Sequence, residues 1–254
     1  MRSLQDRLHQ GRPLLGTFTV LGSVDAIELA CRSGFDFVVV DAQHGLFDLG
    51  MMREALRAIE STDCLPIARI EAHTLGSVEA LLDAGYMTLI APMVNTPEQA
   101  RVMVEATHYP PRGQRSYSAC RAGLIHGDEL YRERFNDAFG LLVMIEHIDA
   151  VRRIEAIVAE PGVGGCFLGL TDLRSSIPEH EDPAALDEAV RRVRDVTLQA
   201  GKTLAIATRN IEAARRYADE GFHLVTVGSD RRLLHGAFAI IPRVWSEHEA
   251  DDVK

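Results

Sequence analysis

Residues with ionisable side chains follow apolar stretches of this sequence at regular intervals. Four of them end or closely follow such a stretch: Asp41, Arg69, Glu146 and Asp172. The steps from Asp41 to Arg69 and from Glu146 to Asp172 are 28 and 26 residues, about the length of one strand, one helix and two loops. Since the carboxyl ends of the strands in a parallel barrel meet at one mouth, we expect these side chains to lie close together. An arginine beside two carboxylates could bind an anionic substrate next to a cation.

Glu146 and Asp172 are the candidate metal ligands. Two carboxylates on adjacent strands, with water completing the coordination shell, suit Mg²⁺ or Mn²⁺, and Co²⁺ is a third candidate. The alternative is that each carboxylate caps a helix or pairs with an arginine. Cys and His residues are not paired at the spacing of a zinc site, so the sequence does not predict structural zinc.

Arg69 and His44 are the candidate catalytic residues, and Asp41 is the candidate partner of both. The planar guanidinium of Arg69 could hold a carboxylate and polarise a keto oxygen; a structural ion pair with Asp41 is the alternative. His44 lies three residues after Asp41, which could orient it for proton transfer near neutral pH. A hydrogen-bonded structural role is the alternative for His44, and His126 and His147 are weaker candidates for a catalytic base.

The turn before Asp172 offers main-chain donors. Gly169, Leu170 and Thr171 precede it, and free amides there could hold a substrate carboxylate; a plain tight turn is the alternative. No lysine lies at the end of a strand near this turn. Lys202 comes directly before the predicted strand 203–207, so it would lie at the opposite face of the barrel. A Schiff-base mechanism is therefore not expected.

The elements that must position these residues alternate between apolar, strand-like runs and helical patterns. The predicted strands are residues 14–20, 36–41, 65–69, 87–91, 140–146, 163–169, 203–207 and 223–227. The predicted helices are residues 24–33, 48–60, 75–84, 97–107, a helix ending near 159, 183–200, 210–220 and a last helix from Asp230. The strands are uniformly apolar, as in a parallel sheet covered on both faces. The sequence therefore predicts fold class α/β, a (β/α)8 TIM barrel, as a single domain over residues 1–254.

Two polar stretches that contain proline interrupt this alternation, residues 108–127 and 173–182. Long loops in compact domains are usually functional or mobile. We expect both stretches to be loops on the same side of the barrel as the candidate site.

Composition restricts the partners of this chain. The formal charge is −10 at neutral pH, which disfavours nucleic acid or an anionic membrane as a partner. No apolar run approaches the ~20 residues of a membrane helix, and the amino terminus lacks the apolar segment of a signal peptide. The cysteines, Cys31, Cys64, Cys120 and Cys166, have no paired spacing, so we expect reduced, buried thiols in a cytoplasmic protein.

Five stretches carry a resemblance to a known family: 34–41, Ala91-Pro92-Met93-Val94, 109–115, Ile145-Glu146 and 167–173. With them the sequence resembles the HpcH/HpaI aldolase family, the metal-dependent class II pyruvate aldolases, over essentially its whole length. The resemblance implies an enzyme that forms or cleaves a carbon–carbon bond between a small 2-keto acid and an aldehyde through a pyruvate-type enolate. The functional positions it implies are Glu146 and Asp172 for the metal, Arg69 for the substrate, His44 with its partner Asp41 for proton transfer, and Leu170, Thr171 and Asp172 for the pyruvate carboxylate.

The rim of the site departs from the usual family pattern at Gln43, Met144, Leu170 and Arg174. This indicates the same enolate chemistry on an atypical electrophile. One alternative is a citrate-synthase-like condensation of oxaloacetate with acetyl-CoA in a siderophore pathway, where Arg121 and Arg174 could bind extra carboxylates or a phosphate. Oxaloacetate decarboxylation shares the enolate and is a further alternative. An alternative of another class is a barrel that binds a keto acid without turnover.

The resemblance also implies a homo-oligomer, a hexamer built as two trimers, in which the last helix packs on a neighbouring subunit. That helix carries more apolar residues than one face needs against its own barrel: Leu233, Leu234, Phe238, Ile240, Ile241, Val244 and Trp245. The alternative is that these residues only close the barrel.

Overall fold

Parallel strands close into a barrel in the computed structural model of this chain, which describes residues 3–71, 75–118, 120–178 and 184–251. The strands in this part of the chain are β1 (Leu14–Thr19), β2 (Phe37–Asp41), β3 (Leu65–Arg69), β4 (Thr88–Ala91), β5 (Gly140–Ile145), β6 (Gly165–Leu168), β7 (Thr203–Thr208) and β8 (Leu224–Ser229). Each strand pairs with its neighbours in chain order, and β8 returns to β1. The predicted (β/α)8 barrel is confirmed.

Helices surround this barrel. In order along the described chain they are α1 (Leu4–Leu8), α2 (Val24–Arg32), α3 (Leu49–Glu60), α4 (Leu75–Ala84), α5 (Pro97–Thr107), α6 (Cys120–His126), α7 (Asp128–Ala138), α8 (Ile148–Arg152), α9 (Ile154–Ala159), α10 (Leu170–Ser176), α11 (Ala185–Gln199), α12 (Ile211–Asp219) and α13 (Asp230–Asp251). Most connect one strand to the next and cover the outside of the barrel, as the uniformly apolar strands require.

Several observed boundaries coincide with the predicted ones. β3, α4 and α5 span residues 65–69, 75–84 and 97–107. α5 begins at Pro97 because the first turn of a helix does not need that N–H. Thr96 and Gln99 cap this helix reciprocally, each side chain accepting a hydrogen bond from the other's amide. α4 ends before Gly85, whose φ of 116° suits glycine and few other residues.

The prediction for residues 108–127 is wrong in two respects. α6 occupies the second part of this stretch, so it is not one long loop. It also lies away from the candidate site, since Arg121 donates hydrogen bonds to the Glu60 carboxylate and to the Ala84 carbonyl, at the carboxyl ends of α3 and α4. Helices run back from the mouth where the strands end, so these ends mark the opposite face of the barrel. Residues 108–127 follow the helix α5 rather than a strand, so they begin at the face of the barrel opposite the strand ends. Ala119 lies outside the described residues.

The region after β6 also differs from the prediction. α10 begins at Leu170 and includes the start of the stretch 173–182 that the sequence predicts as a loop. Residues 179–182, and residue 183 at the predicted start of the next helix, lie outside the described residues. The single helix predicted after β5 is divided into α8 and α9 at Arg153, whose φ and ψ of −112° and 14° interrupt it.

Alternation along each strand sends every second side chain into the barrel. The interior cluster contains Phe37 and Val39 of β2, whereas Val38 and Val40 pack against the helices. On three strands, the side chain two residues after the last apolar interior residue is ionisable. The three series are Phe37-Val39-Asp41 on β2, Ile67-Arg69 on β3 and Met144-Glu146 at the end of β5. The same pleat that fills the barrel with apolar side chains therefore aims these ionisable groups at its mouth.

The cysteines of the chain are not paired in disulfides. Cys31, Cys64 and Cys166 are buried, but Cys120 is exposed on α6, so the expectation of buried thiols is wrong at that position.

Within the described ranges, no helix combines the length and apolar character that crossing a membrane requires.

Candidate active site

Arg69 and Asp41 form an ion pair where β2 and β3 end side by side. They are partners in the sheet register, and Nε of Arg69 donates to Oδ1 at 2.8 Å while Nη2 donates to Oδ2 at 2.5 Å. Asp41 is fully buried and Arg69 is 8% exposed. The guanidinium also lies over the ring of Phe18, with Cζ 5.0 Å from the ring centroid. The two-point pairing fixes its plane, and Arg69 remains part of the wall of the mouth.

Asp41 holds the main chain of the next loop rather than the imidazole of His44. Its Oδ1 accepts hydrogen bonds from the amides of Gln43 at 3.0 Å and His44 at 3.3 Å. Gly45 lets this turn close tightly, since a Cβ there would lie 2.1 Å from the Asp41 carbonyl oxygen. The side chain of His44 is exposed and lines the mouth. Asp41 thus places His44 through the backbone, because its carboxylate is engaged by Arg69 and these amides.

Glu146 lies just beyond β5 and is 2% exposed. Its Oε1 accepts a hydrogen bond from the amide of Met93 at 2.7 Å, in the loop after β4. Met93 has a φ of 52°, in the left-handed region that residues other than glycine seldom adopt. Such strain is often found at functional sites, and here it lies at the backbone donor that holds Glu146.

The two carboxylates are electrostatically unfavourable neighbours. Burial raises the pKa of Glu146; the Met93 hydrogen bond opposes this, and the negative charge of Asp172 raises the pKa further. A divalent cation held by both carboxylates would relieve the repulsion. In the described part of the chain, no group of three or more His, Cys, Asp or Glu residues is placed to hold a metal. A pair of oxygen ligands that leaves room for substrate and water nevertheless fits Mg²⁺ or Mn²⁺.

Asp172 lies in the first turn of α10 rather than directly after β6. Gly169 is the residue that precedes the helix and gives it no side-chain cap. The amides of Leu170, Thr171 and Asp172 therefore have no partner within the helix. Gly169 passes close to Glu146, because a Cβ at this position would lie 2.8 Å from Oε2. The close approach places the amino-terminal end of α10 beside the buried carboxylate.

A cavity of about 870 Å³ opens at this mouth of the barrel. The predicted site residues that line it are Asp41, His44, Arg69, Leu170, Thr171 and Asp172. Glu146 borders the cavity through its contact with Gly169, which is one of the lining residues. His126 and His147, the weaker candidates, are not among the residues of the wall. The structure thus brings the main candidates together at one mouth.

Comparison with known proteins gives the family. The sequence profile of the HpcH/HpaI aldolase/citrate lyase family matches residues 14–237. The chain belongs to this family. A hydroxypyruvate/pyruvate aldolase from Agrobacterium fabrum is 35% identical over 231 residues, which cover 88% of this chain and 85% of that protein. The predicted family and the predicted carbon–carbon lyase of the aldolase class are confirmed.

Solved structures share this fold along nearly the whole chain. A family member from Burkholderia cenocepacia has a TM-score of 0.87 and 31% sequence identity, covering 95% of this chain and 98% of that chain. A citrate synthase structure has a TM-score of 0.85 and 26% identity, covering 98% and 99% of the two chains. The barrel fold is therefore shared by proteins with different names.

The residues that depart from the usual HpcH/HpaI pattern lie around the candidate catalytic and metal-binding residues. Met144 touches Nη1 of Arg69 through its sulfur at 3.8 Å. Oε1 of Gln43 is buried without a hydrogen-bond partner among the described residues. Arg174 lines the cavity on α10, whereas Arg121, the other arginine considered for extra anionic groups, lies at the opposite face and cannot reach it.

Two residues of the site are not among the sequence-predicted candidates. Arg209 lines the cavity in the loop after β7, and its Nη2 donates to Oγ1 of Thr171 at 3.4 Å. The rule that selects Asp41 and Arg69, a polar residue at a strand end, would also have selected Arg209. The same rule cannot select Met93, because its side chain is apolar and it contacts Glu146 only through its main-chain amide.

Proposed function

We propose that this HpcH/HpaI family member is a metal-dependent aldolase that joins or separates a pyruvoyl group and an aldehyde through an enolate. The observation that supports this most strongly is the convergence of Arg69, His44 and Asp172 on one cavity, with Glu146 buried at its border. Glu146 and Asp172 would hold Mg²⁺ or Mn²⁺, with Co²⁺ as a third candidate. When bound, the cation would supply Lewis acidity toward the keto group and so make the adjacent C–H bonds more acidic.

The remaining residues have distinct roles in this proposal. Arg69, fixed by Asp41, donates a hydrogen bond to the keto oxygen and stabilises the negative charge that develops there. The first-turn amides of α10, at Leu170, Thr171 and Asp172, bind the carboxylate of the keto acid. Each of these donors is held by the barrel before substrate arrives, which is the condition for electrostatic stabilisation of a transition state.

His44 moves the protons, through a water, in both directions of the reaction. In synthesis it receives a proton from the methyl carbon of the pyruvoyl group, and the electron pair of that C–H bond moves onto the keto oxygen. The electron pair on the keto oxygen then re-forms the keto C=O bond while the enolate carbon bonds to the aldehyde carbon. The π pair of the aldehyde C=O bond moves to the aldehyde oxygen, which takes the proton back from His44. Cleavage is the same sequence reversed.

Deuterium exchange into pyruvate tests the enolate step without an aldehyde. We expect the methyl protons to exchange in D₂O in the presence of protein and Mg²⁺ or Mn²⁺, and the exchange to stop with excess chelator. Absence of exchange under every metal condition would reject the proposed function and favour the alternative of a barrel that binds a keto acid without turnover.

A citrate-synthase-like condensation is the second candidate, favoured by the structural similarity to a citrate synthase and by Arg174 at the cavity wall. Its donor would be acetyl-CoA and its acceptor the ketone of oxaloacetate. Release of free coenzyme A thiol in the presence of both substrates would support it. Oxaloacetate decarboxylation would appear in the same assay as pyruvate formation without thiol release.

We further propose that the protein is a cytoplasmic homohexamer of two trimers. α13 exposes a series of large apolar side chains: Leu233, Leu234, Phe238, Ile240, Ile241, Val244 and Trp245. Trp245 is 71% exposed and Phe238 is 66% exposed, so the barrel of their own chain leaves most of these two side chains uncovered. Apolar surface of this extent is typical of a subunit interface.

A further inference from the structure

Two buried cysteines are in contact at the amino-terminal face of the barrel. Cys31 lies in the last turn of α2, and Cys64 directly precedes β3. They are 7% and 3% exposed, and both belong to the apolar layer between the strands and the helices. The thiol of Cys64 donates a hydrogen bond to the sulfur of Cys31. The proposed aldolase chemistry uses neither residue, since it takes place at the other end of β3, where Arg69 lies.

A threonine in the turn between α3 and β3 lies against both cysteines. The hydroxyl oxygen of Thr62 accepts a hydrogen bond from the amide of Cys64 at 3.1 Å, and the same hydroxyl contacts the sulfur of Cys31. The Thr62 hydroxyl is itself held by the carbonyl of Ile59 near the end of α3, to which it donates at 2.7 Å. The turn that leads into β3 therefore fixes the place of Cys64 beside α2.

The two thiols differ in acidity because one is the donor and the other the acceptor of their hydrogen bond. The bond from Cys64 lowers the pKa of Cys31, against the opposing effects of burial and of the negative charge of Glu28. The same bond, together with burial, raises the pKa of Cys64. Since the thiolate is the nucleophilic form of cysteine, Cys31 is the attacking sulfur of the pair and Cys64 is its protonated neighbour.

The other two cysteines of the chain have different surroundings. Cys166 is fully buried, and burial raises its pKa to about 11, so it keeps its proton at neutral pH and is a poor nucleophile. Cys120 is exposed on α6, and its sulfur lies 3.5 Å from the hydroxyl of Ser118 rather than beside a second thiol. The contact between Cys31 and Cys64 is therefore the feature that suits the formation of a disulfide within one chain.

We propose that Cys31 and Cys64 form a site of reversible oxidation, at which a small peroxide converts the two thiols into a disulfide. The Cys31 thiolate attacks one peroxide oxygen, the O–O bond breaks, and the other oxygen takes up a proton and leaves as water or an alcohol. The Cys64 sulfur then attacks the sulfur of the Cys31 sulfenic acid. The S–S bond forms, the S–O bond breaks, and the hydroxide leaves as water with the Cys64 proton. The two sulfurs lose two electrons in total, and the peroxide gains them.

The disulfide would tie the end of α2 to the start of β3 across the intervening strand β2. Its two sulfurs have to approach to about 2.05 Å, starting from a contact that the reduced protein already has. The cysteines are 33 residues apart in the sequence, and closing such a loop restricts the unfolded chain. We therefore expect the Tm of the oxidised wild-type protein to exceed that of the reduced protein by about 4–16 °C. A Tm that fell on oxidation would show that the native fold does not accommodate the bond and would overturn the proposal.

Peptide mapping of the wild-type protein tests the site without any variant. The protein is treated with hydrogen peroxide and denatured, its remaining thiols are blocked with N-ethylmaleimide, and its proteolytic fragments are compared with and without dithiothreitol. We expect two fragments joined through Cys31 and Cys64 that dithiothreitol separates, while Cys166 carries the blocking group. If Cys31 and Cys64 were both recovered with the blocking group, or if a disulfide formed only through Cys120, the proposal would be wrong.

Serine variants assign the role of each sulfur. In Cys64→Ser a hydroxyl donor remains beside Cys31 but the second sulfur is gone, so the Cys31 sulfenic acid should persist and be trapped by dimedone. In Cys31→Ser we expect about tenfold less trapping at Cys64, because that thiol keeps its proton. Cys166→Ser is the matched control, since it removes a buried thiol outside the pair, and it should form the disulfide as the wild type does. Equal trapping at Cys31 and Cys64 in the two variants would contradict the proposed order of attack.

Discussion

Arg69 and Asp41 are joined by two hydrogen bonds at the adjacent ends of β2 and β3, Nε to Oδ1 at 2.8 Å and Nη2 to Oδ2 at 2.5 Å. Asp41 is fully buried and also anchors the amides of the loop that carries His44. One carboxylate therefore sets the position of both proposed catalytic side chains. The two proposals for Arg69, an ion pair and a substrate contact, are compatible because pairing uses only one edge of the guanidinium.

Arg69→Lys should lower turnover by about 10²–10³-fold, comparable to removal of one donor to a developing oxyanion. Lysine retains the charge but cannot hold both oxygens of Asp41 and reach the substrate at the same time. Steady-state kinetics with pyruvate and an aldehyde give the measurement. Arg12→Lys is the control, since Arg12 makes a similar two-point contact with Asp36 on the exterior of the barrel. Wild-type turnover in Arg69→Lys would leave Arg69 with a structural role only.

Glu146→Gln and Asp172→Asn should each weaken Mn²⁺ binding by more than roughly a hundredfold, since even changes outside the ligand shell commonly cost 10–100-fold. The protein supplies only these two carboxylates in the proposal, so the loss of either cannot be compensated. Titration followed by electron paramagnetic resonance of free Mn²⁺ measures the affinity directly. Glu54→Gln on the exposed side of α3 should bind as the wild type does. Turnover that persists in excess chelator would refute the metal requirement.

His44→Ala should slow pyruvate proton exchange by about 10²–10⁴-fold, the usual contribution of a positioned acid–base group. It should affect the binding of oxalate, a mimic of the pyruvate enolate, much less, because the proposal assigns ligand binding to the metal, Arg69 and the amides of α10. Calorimetry in the presence of Mg²⁺ supplies the binding constant. If exchange rate and oxalate affinity fell by equal factors, His44 would be a binding residue.

Gly169→Ala should lower metal affinity while the barrel remains folded. The added methyl group would lie 2.8 Å from Oε2 and 2.9 Å from Cβ of Glu146, so the carboxylate must shift from its place. We expect a loss of about 10–100-fold in Mn²⁺ affinity, as for other changes around a ligand. Gly76→Ala, where a methyl group meets nothing within 4 Å, is the control for the same chemical change. Unaltered affinity in Gly169→Ala would show that Glu146 tolerates displacement or does not bind the metal.

The molecular mass in solution should be about six times the 28.0 kDa of one chain, because α13 exposes apolar side chains of the kind that interfaces bury. Light scattering at micromolar protein concentration measures it. Phe238→Asp together with Ile241→Asp should reduce the mass, whereas Arg215→Asp on α12 should not. A wild-type mass near that of one chain would contradict the hexamer.

The sequence predicts the boundaries of a helix or strand well where the residues at its ends mark them. β3 and α5 are predicted to the residue because an apolar run ends at Arg69 and because Thr96, Pro97 and Gln99 form a capping pattern. α10 is missed because it begins after Gly169 without a side-chain cap, so Gly169-Leu170-Thr171 has the pattern of a turn. The place of residues 108–127 could have been inferred from the sequence, because the predicted helix 97–107 directly precedes them and a segment that follows a helix lies at the face opposite the strand ends.

The site is predictable where it consists of side chains at strand ends. Asp41, Arg69 and Glu146 follow from the alternation that fills the barrel interior. The contact between Asp41 and the amide of His44, and the donor at Met93, are not predictable in this way, because main-chain groups have no residue-specific signature. The engagement of Asp41 by Arg69 depends on the register of β2 and β3, which the spacing of 28 residues allows but does not specify.

The hydrogen bond from Met93 to Glu146 has an evolutionary consequence. Its donor is a peptide group, so mutation of the side chain cannot delete it as long as the left-handed backbone is kept. The side chain of Met93, 42% exposed, is free to be exchanged for other unbranched residues, and glycine would even relieve the strain. Substitutions at this position can thus change the surface of the loop during evolution, while the main-chain hydrogen bond that holds the Glu146 carboxylate is retained.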